Sequence, residues 1–150
     1  MSKIEIRYAN AKDVDVIYGL ENLFGDEGYS RELILSSLVD ENMYNVLIFV
    51  DETAKGYLSA SRVLDESELM KIIITKDARR CGLASMLMDL YLKDMQKMGV
   101  INFYLEVRSN NIPAKKLYEK FNYNKIYQRE KYYSDGVDAD IYWYKVDVKD

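Results

Sequence analysis

The sequence predicts a single-domain α/β fold over residues 1–150, a mixed, largely antiparallel sheet with a central pair of parallel strands and flanking helices. Three observations predict it. Short runs of alternating apolar and polar residues, the period of a half-buried strand, are interspersed with segments of helical period. The clearest helical segment, Leu83, Met86, Leu87, Leu90, Tyr91, Met95 and Met98, runs directly into an alternating stretch from Ile101 to Val107, so strand, helix and strand form one right-handed parallel unit. No repeat, linker or low-complexity tract interrupts the 150 residues, and a chain of that length buries roughly 68–70% of its unfolded surface.

Taken in order, Ile4, Ile6 and Tyr8 alternate with Glu5 and Arg7 and predict a strand. Asp13 opens a helix through Val14, Ile17 and Leu20, and Ser30 caps a second one carrying Leu33, Ile34 and Leu38. The apolar run Val46 to Val50 predicts a strand, Lys55-Gly56 a turn, and Tyr57 to Leu64 the returning hairpin partner. Asp65-Glu66 turns the chain into a strand from Leu69 to Thr75. The long helix ends at Gly99, in the position that favours a left-handed residue. Pro113 starts a shorter helix through Leu117, Tyr118 and Phe121, closed by Asn122. The last strands, around Lys125 to Arg129 and Asp138 to Val146, flank the turn Ser134-Asp135-Gly136 and make the end of the sheet antiparallel.

Composition removes whole classes of chemistry. With no His and a single Cys, Cys81, the chain has no His/Cys metal cluster, no intramolecular disulfide and no Ser-His-Asp or Cys-His machinery. No metal is expected. A lone Cys suits a reducing compartment, residues 1–10 lack the basic and apolar regions of a leader, and the run Val46 to Val50 is too short to span a bilayer, so a cytoplasmic protein without membrane contact is expected. Twenty-one basic against 25 acidic residues give a net charge of −4, which argues against nucleic acid as a partner and is compatible with a basic peptide or amine.

The sharpest local feature is Arg79-Arg80-Cys81-Gly82-Leu83-Ala84 between a strand and the start of the long helix. Uncapped N–H groups and the positive end of the helix dipole favour an anion there, Gly82 and Ala84 are small enough for a phosphate to approach the backbone, and two arginines add charge. Arg79, Gly82 and Ala84 resemble the cofactor loop of the GCN5-related N-acetyltransferase (GNAT) superfamily. Leu105-Glu106-Val107-Arg108-Ser109-Asn110-Asn111, then Ala114, Leu117-Tyr118-Glu119, Phe121, Tyr123 and Tyr132-Tyr133-Ser134-Asp135-Gly136, resemble its RimI-type branch, the ribosomal-protein alanine N-acetyltransferases.

That resemblance implies acetyl-CoA as co-substrate, with Ile72, Ile73 and Ile74 along the pantetheine arm. It counts Arg79 among the cofactor-binding residues, places Arg80, Cys81, Gly82, Leu83, Ala84 and Ser85 around the pyrophosphate, and Asn111 against the cofactor from the start of the last helix. Cys81 has no base near it in sequence and reads as a space-filling loop residue. The resemblance makes Glu106 the general base and Tyr118 the general acid; alternation independently puts Glu106 on the opposite face from Leu105 and Val107. Tyr133 and Tyr29 would wall the acceptor site, Tyr29 standing where the branch carries a Trp. The implied acceptor is the N-terminal alanine of a small-subunit ribosomal protein, acetylated by direct attack in a ternary complex. Two other readings use the same residues: a small-molecule amine or lysine as acceptor, and a non-catalytic acyl-CoA-binding protein, against which the presence of both Glu106 and Tyr118 argues.

Overall fold

A computed structural model describes residues 2–23 and 28–147. Its seven strands are β1 (Ile4–Tyr8), β2 (Met43–Val50), β3 (Thr53–Val63), β4 (Glu66–Ile74), β5 (Asn102–Arg108), β6 (Asn124–Arg129) and β7 (Ala139–Lys145), and its helices are α1 (Val14–Asn22), α2 (Arg31–Val39), α3 (Leu83–Lys97) and α4 (Ile112–Lys120). The strands form one sheet in the order β1-β2-β3-β4-β5-β7-β6. Every neighbouring pair is antiparallel except β4 and β5, which run parallel across the α3 crossover.

The sheet separates two apolar layers. Val46, Ile48, Leu58 and Leu105 face α3 and α4, where Leu83, Leu87, Met88, Tyr91 and Tyr118 cover them. Leu47, Tyr57 and Ile73 face the other way, against Ile17 and Leu20 of α1 and Ile34 of α2. An unbroken apolar run from Val46 to Val50 is thus a strand with both faces covered. In α2 the buried residue is Ile34, while Leu33 is largely exposed.

One local expectation is corrected. Lys55-Gly56 is not a turn: the β2–β3 hairpin closes at Asp51-Glu52, both at positive φ, and Lys55 and Gly56 lie inside β3 beside a register shift. Glycine is required at 56 by close approach, since a Cβ there would stand 2.4 Å from the Ile73 carbonyl oxygen. Asp13 stands at the start of α1, as expected, without a side-chain hydrogen bond to that helix. Asn10 caps a 3-10 turn at Ala11–Asp13, accepting from Lys12 N, and Asp13 returns its carboxylate to the Asn10 N–H at 2.9 Å. Arg7 clasps the same carboxylate at 2.7 and 2.9 Å. The remaining punctuation agrees: Ser30 accepts from Leu33 N, Gly99 and Asn122 take left-handed φ, Pro113 sits in the first turn of α4, and the last turn closes through Gly136 N–H to Tyr133 O.

The Arg7 guanidinium holds the Asp13 carboxyl below its ordinary value, against the opposing effect of burial. A depressed carboxyl contributes stability above its unfolded pKa and loses it as pH falls through the folded one. Asp13→Asn is therefore expected to cost about 1–2 kcal/mol at pH 7. Urea denaturation should show the gap between variant and parent closing as pH falls below the ordinary Asp value of about 3.9.

Candidate active site

The parallel ladder between β4 and β5 is short: Glu66, Ser67, Glu68 and Leu69 pair with Asn102, Phe103, Tyr104 and Leu105, and there it stops. Beyond Leu69 a bulge at Met70 shifts β4 against β3, while β5 continues along β7 as far as Arg108 opposite Ala139. The strands part. Ile72, Ile73 and Ile74 stay paired with β3 on one side and present on the other an edge that no strand covers.

A cleft of about 820 Å³ opens along that edge. One wall is the turn into α3. Arg80 and Gly82 both take left-handed conformations, at φ 65 and 79, and α3 begins without a side-chain cap, leaving the N–H groups of Leu83, Ala84 and Ser85 available to a ligand. A Cβ on Gly82 would meet nothing within 4 Å, so its backbone conformation, rather than crowding, favours glycine. The Arg79 side chain reaches back to the Ile74 carbonyl at 3.2 Å. The opposite wall is α4, with Pro113, Ala114, Leu117 and Tyr118. Asn111 also faces the cleft and caps α4, accepting from Ala114 N at 3.2 Å. Burial alone pushes the Tyr118 hydroxyl up to about 12.

Of the expected cofactor residues, Ile72, Ile73, Ile74, Arg79, Arg80, Gly82, Leu83, Ala84, Ser85 and Asn111 line this cleft together with Tyr118. Cys81 does not; it is exposed, its thiol turned to the Arg79 carbonyl. Glu106 projects from the opposite face to the buried Leu105 and Val107 and is exposed. Tyr133 donates to Glu106 Oε2 at 3.3 Å, and the Arg108 guanidinium lies 4.2 Å over the Tyr133 ring while pairing with Asp135 at 2.8 Å. Burial and then the Glu106 charge push the Tyr133 hydroxyl up to about 12. Glu68, from β4, also feels Glu106: burial first and that charge second raise its carboxyl.

Tyr29 belongs to a buried polar knot that the sequence reading overlooked. Glu21 of α1 is fully buried and accepts from Tyr57 Oη, from the Tyr29 N–H at 3.2 Å and from Lys71 Nζ at 2.8 Å. Lys71 stands 4.0 Å over the Tyr29 ring. Gly28 is needed beside it, since a Cβ would lie 2.8 Å from the Glu21 carbonyl oxygen. Asp26 and Glu27, which precede it, lie outside the described residues. The missed signal was spacing: Glu21 follows Val14 by seven residues and Ile17 by four, a carboxylate in the apolar stripe of α1. Because Glu21 and Lys71 line the same cleft as Leu83 and Tyr118, the opening connects the two faces of the sheet.

Among the described residues no group of three or more His, Cys, Asp or Glu side chains is placed to hold a metal, and no helix is long and apolar enough to cross a membrane. The model of the acetyltransferase (GNAT) family matches residues 12–123. An N-alpha-acetyltransferase of Saccharolobus solfataricus is 28% identical over 147 residues, covering 89% of this chain and 88% of that protein. The [ribosomal protein bS18]-alanine N-acetyltransferase of Salmonella typhimurium is 32% identical over 93 residues, covering 62% of this chain and 63% of that protein. The crystal structure of the ribosomal-protein-S18-alanine N-acetyltransferase from Escherichia coli superposes with a TM-score of 0.91 at 26% identity, over 99% of this chain and 97% of that one.

Glu21→Ala is expected to leave Tyr57, the Tyr29 N–H and Lys71 without their acceptor and to destabilise the fold by about 3 kcal/mol in chemical denaturation. Removing both charges together, as Glu21→Gln with Lys71→Met, should recover most of that loss.

Proposed function

We propose that this chain, which belongs to the acetyltransferase (GNAT) family, moves the acetyl group of acetyl-CoA onto the α-amine of a protein that begins with alanine, by direct attack within a ternary complex. The inferred acceptor is a protein of the small ribosomal subunit, which the likeness to the bS18-alanine enzymes supports. A single observation carries the reading: the opening between β4 and β5 gives a donor held on the α3 face access to an amine arriving on the other.

The cleft fits the donor. The uncapped N–H groups of Leu83, Ala84 and Ser85, with Arg79 and Arg80 beside them, suit a pyrophosphate, and the free edge at Ile72, Ile73 and Ile74 suits the amides of a pantetheine arm. Cys81 contributes the shape of the loop rather than its thiol. Acetyl-CoA supplies an activated thioester carbonyl; everything else falls to the protein.

An α-amine with a pKa of about 7.7–8.0 is mostly protonated at neutral pH, so a proton must leave before attack. Glu106 accepts that proton through water. Tyr133 donates to one oxygen of its carboxylate and leaves the other for the acceptor. N–H groups on the β4 edge polarise the thioester carbonyl. Tyr118, kept neutral by burial throughout the physiological range, protonates the departing sulfur. Tyr29 and Tyr133 flank the acceptor.

The donor site is tested by thermal shift. Acetyl-CoA should raise the Tm of the parent protein by mass action, and Gly82→Val, which forces a β-branched residue into a left-handed position, should abolish that increment. Binding at parental affinity in this variant would remove the loop from the site.

The acid–base assignment is tested by steady-state kinetics across pH 6 to 9. Glu106→Gln should lower kcat by roughly 10²–10⁴ with the KM for acetyl-CoA nearly unchanged, and the deficit should shrink at high pH as free amine accumulates. Peptides beginning with alanine should exceed spermidine and internal lysine in kcat/KM. A better polyamine substrate would reassign the acceptor while leaving the donor site untouched.

A further inference from the structure

Lys71 is a charged group in the cleft that the activity described so far leaves unused. Along β4 the side chains divide between the faces of the sheet: Ile72 packs with the cluster beneath α3, while Lys71 reaches Glu21 of α1. Lys71 also stands just beyond Leu69, the last residue of β4 that pairs with β5. It is therefore at the opening between the two strands, on the face at which the acceptor arrives.

The ammonium is held in place. Its Nζ lies 2.8 Å from Glu21 Oε2 and 4.0 Å over the Tyr29 ring. Glu21 is fixed in turn, since it is fully buried and also accepts from Tyr57 Oη and the Tyr29 N–H. An ammonium carries three N–H donors. Glu21 takes one and the Tyr29 ring faces another, while the third has no acceptor among the described residues. Lys71 lines the cleft and keeps 23% of its side-chain surface open, so that donor is within reach of a molecule in the passage.

The chemistry of the acceptor decides what the third donor meets. In a protein N-terminus only the α-carbon and the carbonyl carbon separate the attacking nitrogen from a carbonyl oxygen. In spermidine the next polar atom is a second amine, protonated at neutral pH and repelled by an ammonium. In an internal lysine the backbone carbonyl lies a whole butyl chain away. We propose that Lys71 is a specificity residue, donating its third N–H to the carbonyl oxygen of the acceptor's first residue and so selecting an α-amine over a side-chain amine or a polyamine. The inference rests on the acceptor proposed above. Glu21 and Tyr29 set the ammonium before the acceptor binds, so little ordering cost is left to that moment, and the Glu21 charge offsets its repulsion of the incoming amine.

The test removes the donor and the carbonyl in turn. The acceptors are alaninamide and isopropylamine, which differ in that a methyl group of the second replaces the carboxamide of the first. The enzymes are the parent and Glu21→Gln with Lys71→Met, a pair of changes that leaves no buried charge unpaired and keeps an aliphatic cover on Tyr29. At one pH each acceptor has the same free-amine fraction with either enzyme, so a change in the ratio of the two kcat/KM values reports the contact itself. That ratio, alaninamide over isopropylamine, should fall roughly ten- to a hundredfold in the double variant, the range of a hydrogen bond to a charged group. Glu21→Gln with Lys71→Leu, a second apolar replacement, should give the same fall. A ratio within about twofold of the parental one would overturn the proposal even if both rates dropped, because a merely structural role lowers them alike. A parent enzyme that prefers spermidine to alaninamide would instead overturn the acceptor reading itself, a failure recognisable before Lys71 is changed.

Discussion

The architecture depends on the length of one ladder. After four residue pairs, β4 and β5 stop sharing hydrogen bonds, because β4 is displaced by a bulge at Met70 while β5 follows β7. Had the ladder continued, Ile72, Ile73 and Ile74 would be paired on both sides within the sheet, and neither an open strand edge nor a passage between the faces would exist. The sheet is better seen as two leaves, β1 to β4 and β5-β7-β6, joined by that short ladder and by α3. A ligand in the cleft touches both.

Each leaf carries a buried carboxylate that ties a helix to its strands, one on each face of the sheet. Glu21 ties α1 to β3 and β4 through Tyr57 and Lys71. Asp140 of β7, also fully buried, meets Lys115 of α4 at 2.9 Å and Lys125 of β6 at 3.3 Å. Its oxygens are held by charge rather than by directional hydrogen bonds. Beside it, Tyr142 donates to Glu119 at 3.1 Å, fastening α4 a second time. Buried pairs like these contribute little net stability after desolvation, but losing one partner is costly.

Much of this was legible from period and punctuation. The long apolar stripe of α3, Gly99, Pro113 and Asn122 marked the crossover and the last helix because those residues act locally, through the conformations they allow. The stretch Arg79 to Ser85 was legible for the same reason: it is contiguous and sits at a helix start. Gly56 misled because a glycine needed for a tertiary approach to Ile73 carries the same letter as one needed for a turn. Glu21, Lys71, Glu68 and Asp140 went unread, since each owes its setting to partners distant in sequence. Their trace was a charge interrupting an apolar pattern, visible only once the pattern is trusted more than the residue type.

An open sheet of seven strands has two edges, and both are guarded. β1 carries Lys3 immediately before it and Glu5 and Arg7 within it, and β6, exposed along its whole length, carries Lys125, Gln128 and Arg129 around a register shift at Ile126. Charged side chains and an interrupted ladder make a poor template for a strand from another molecule. Exposed Ile126 and Tyr127 would otherwise invite such pairing at high concentration. The same edges therefore favour colloidal solubility over fibrous assembly, protecting a protein whose sheet is held open at its centre.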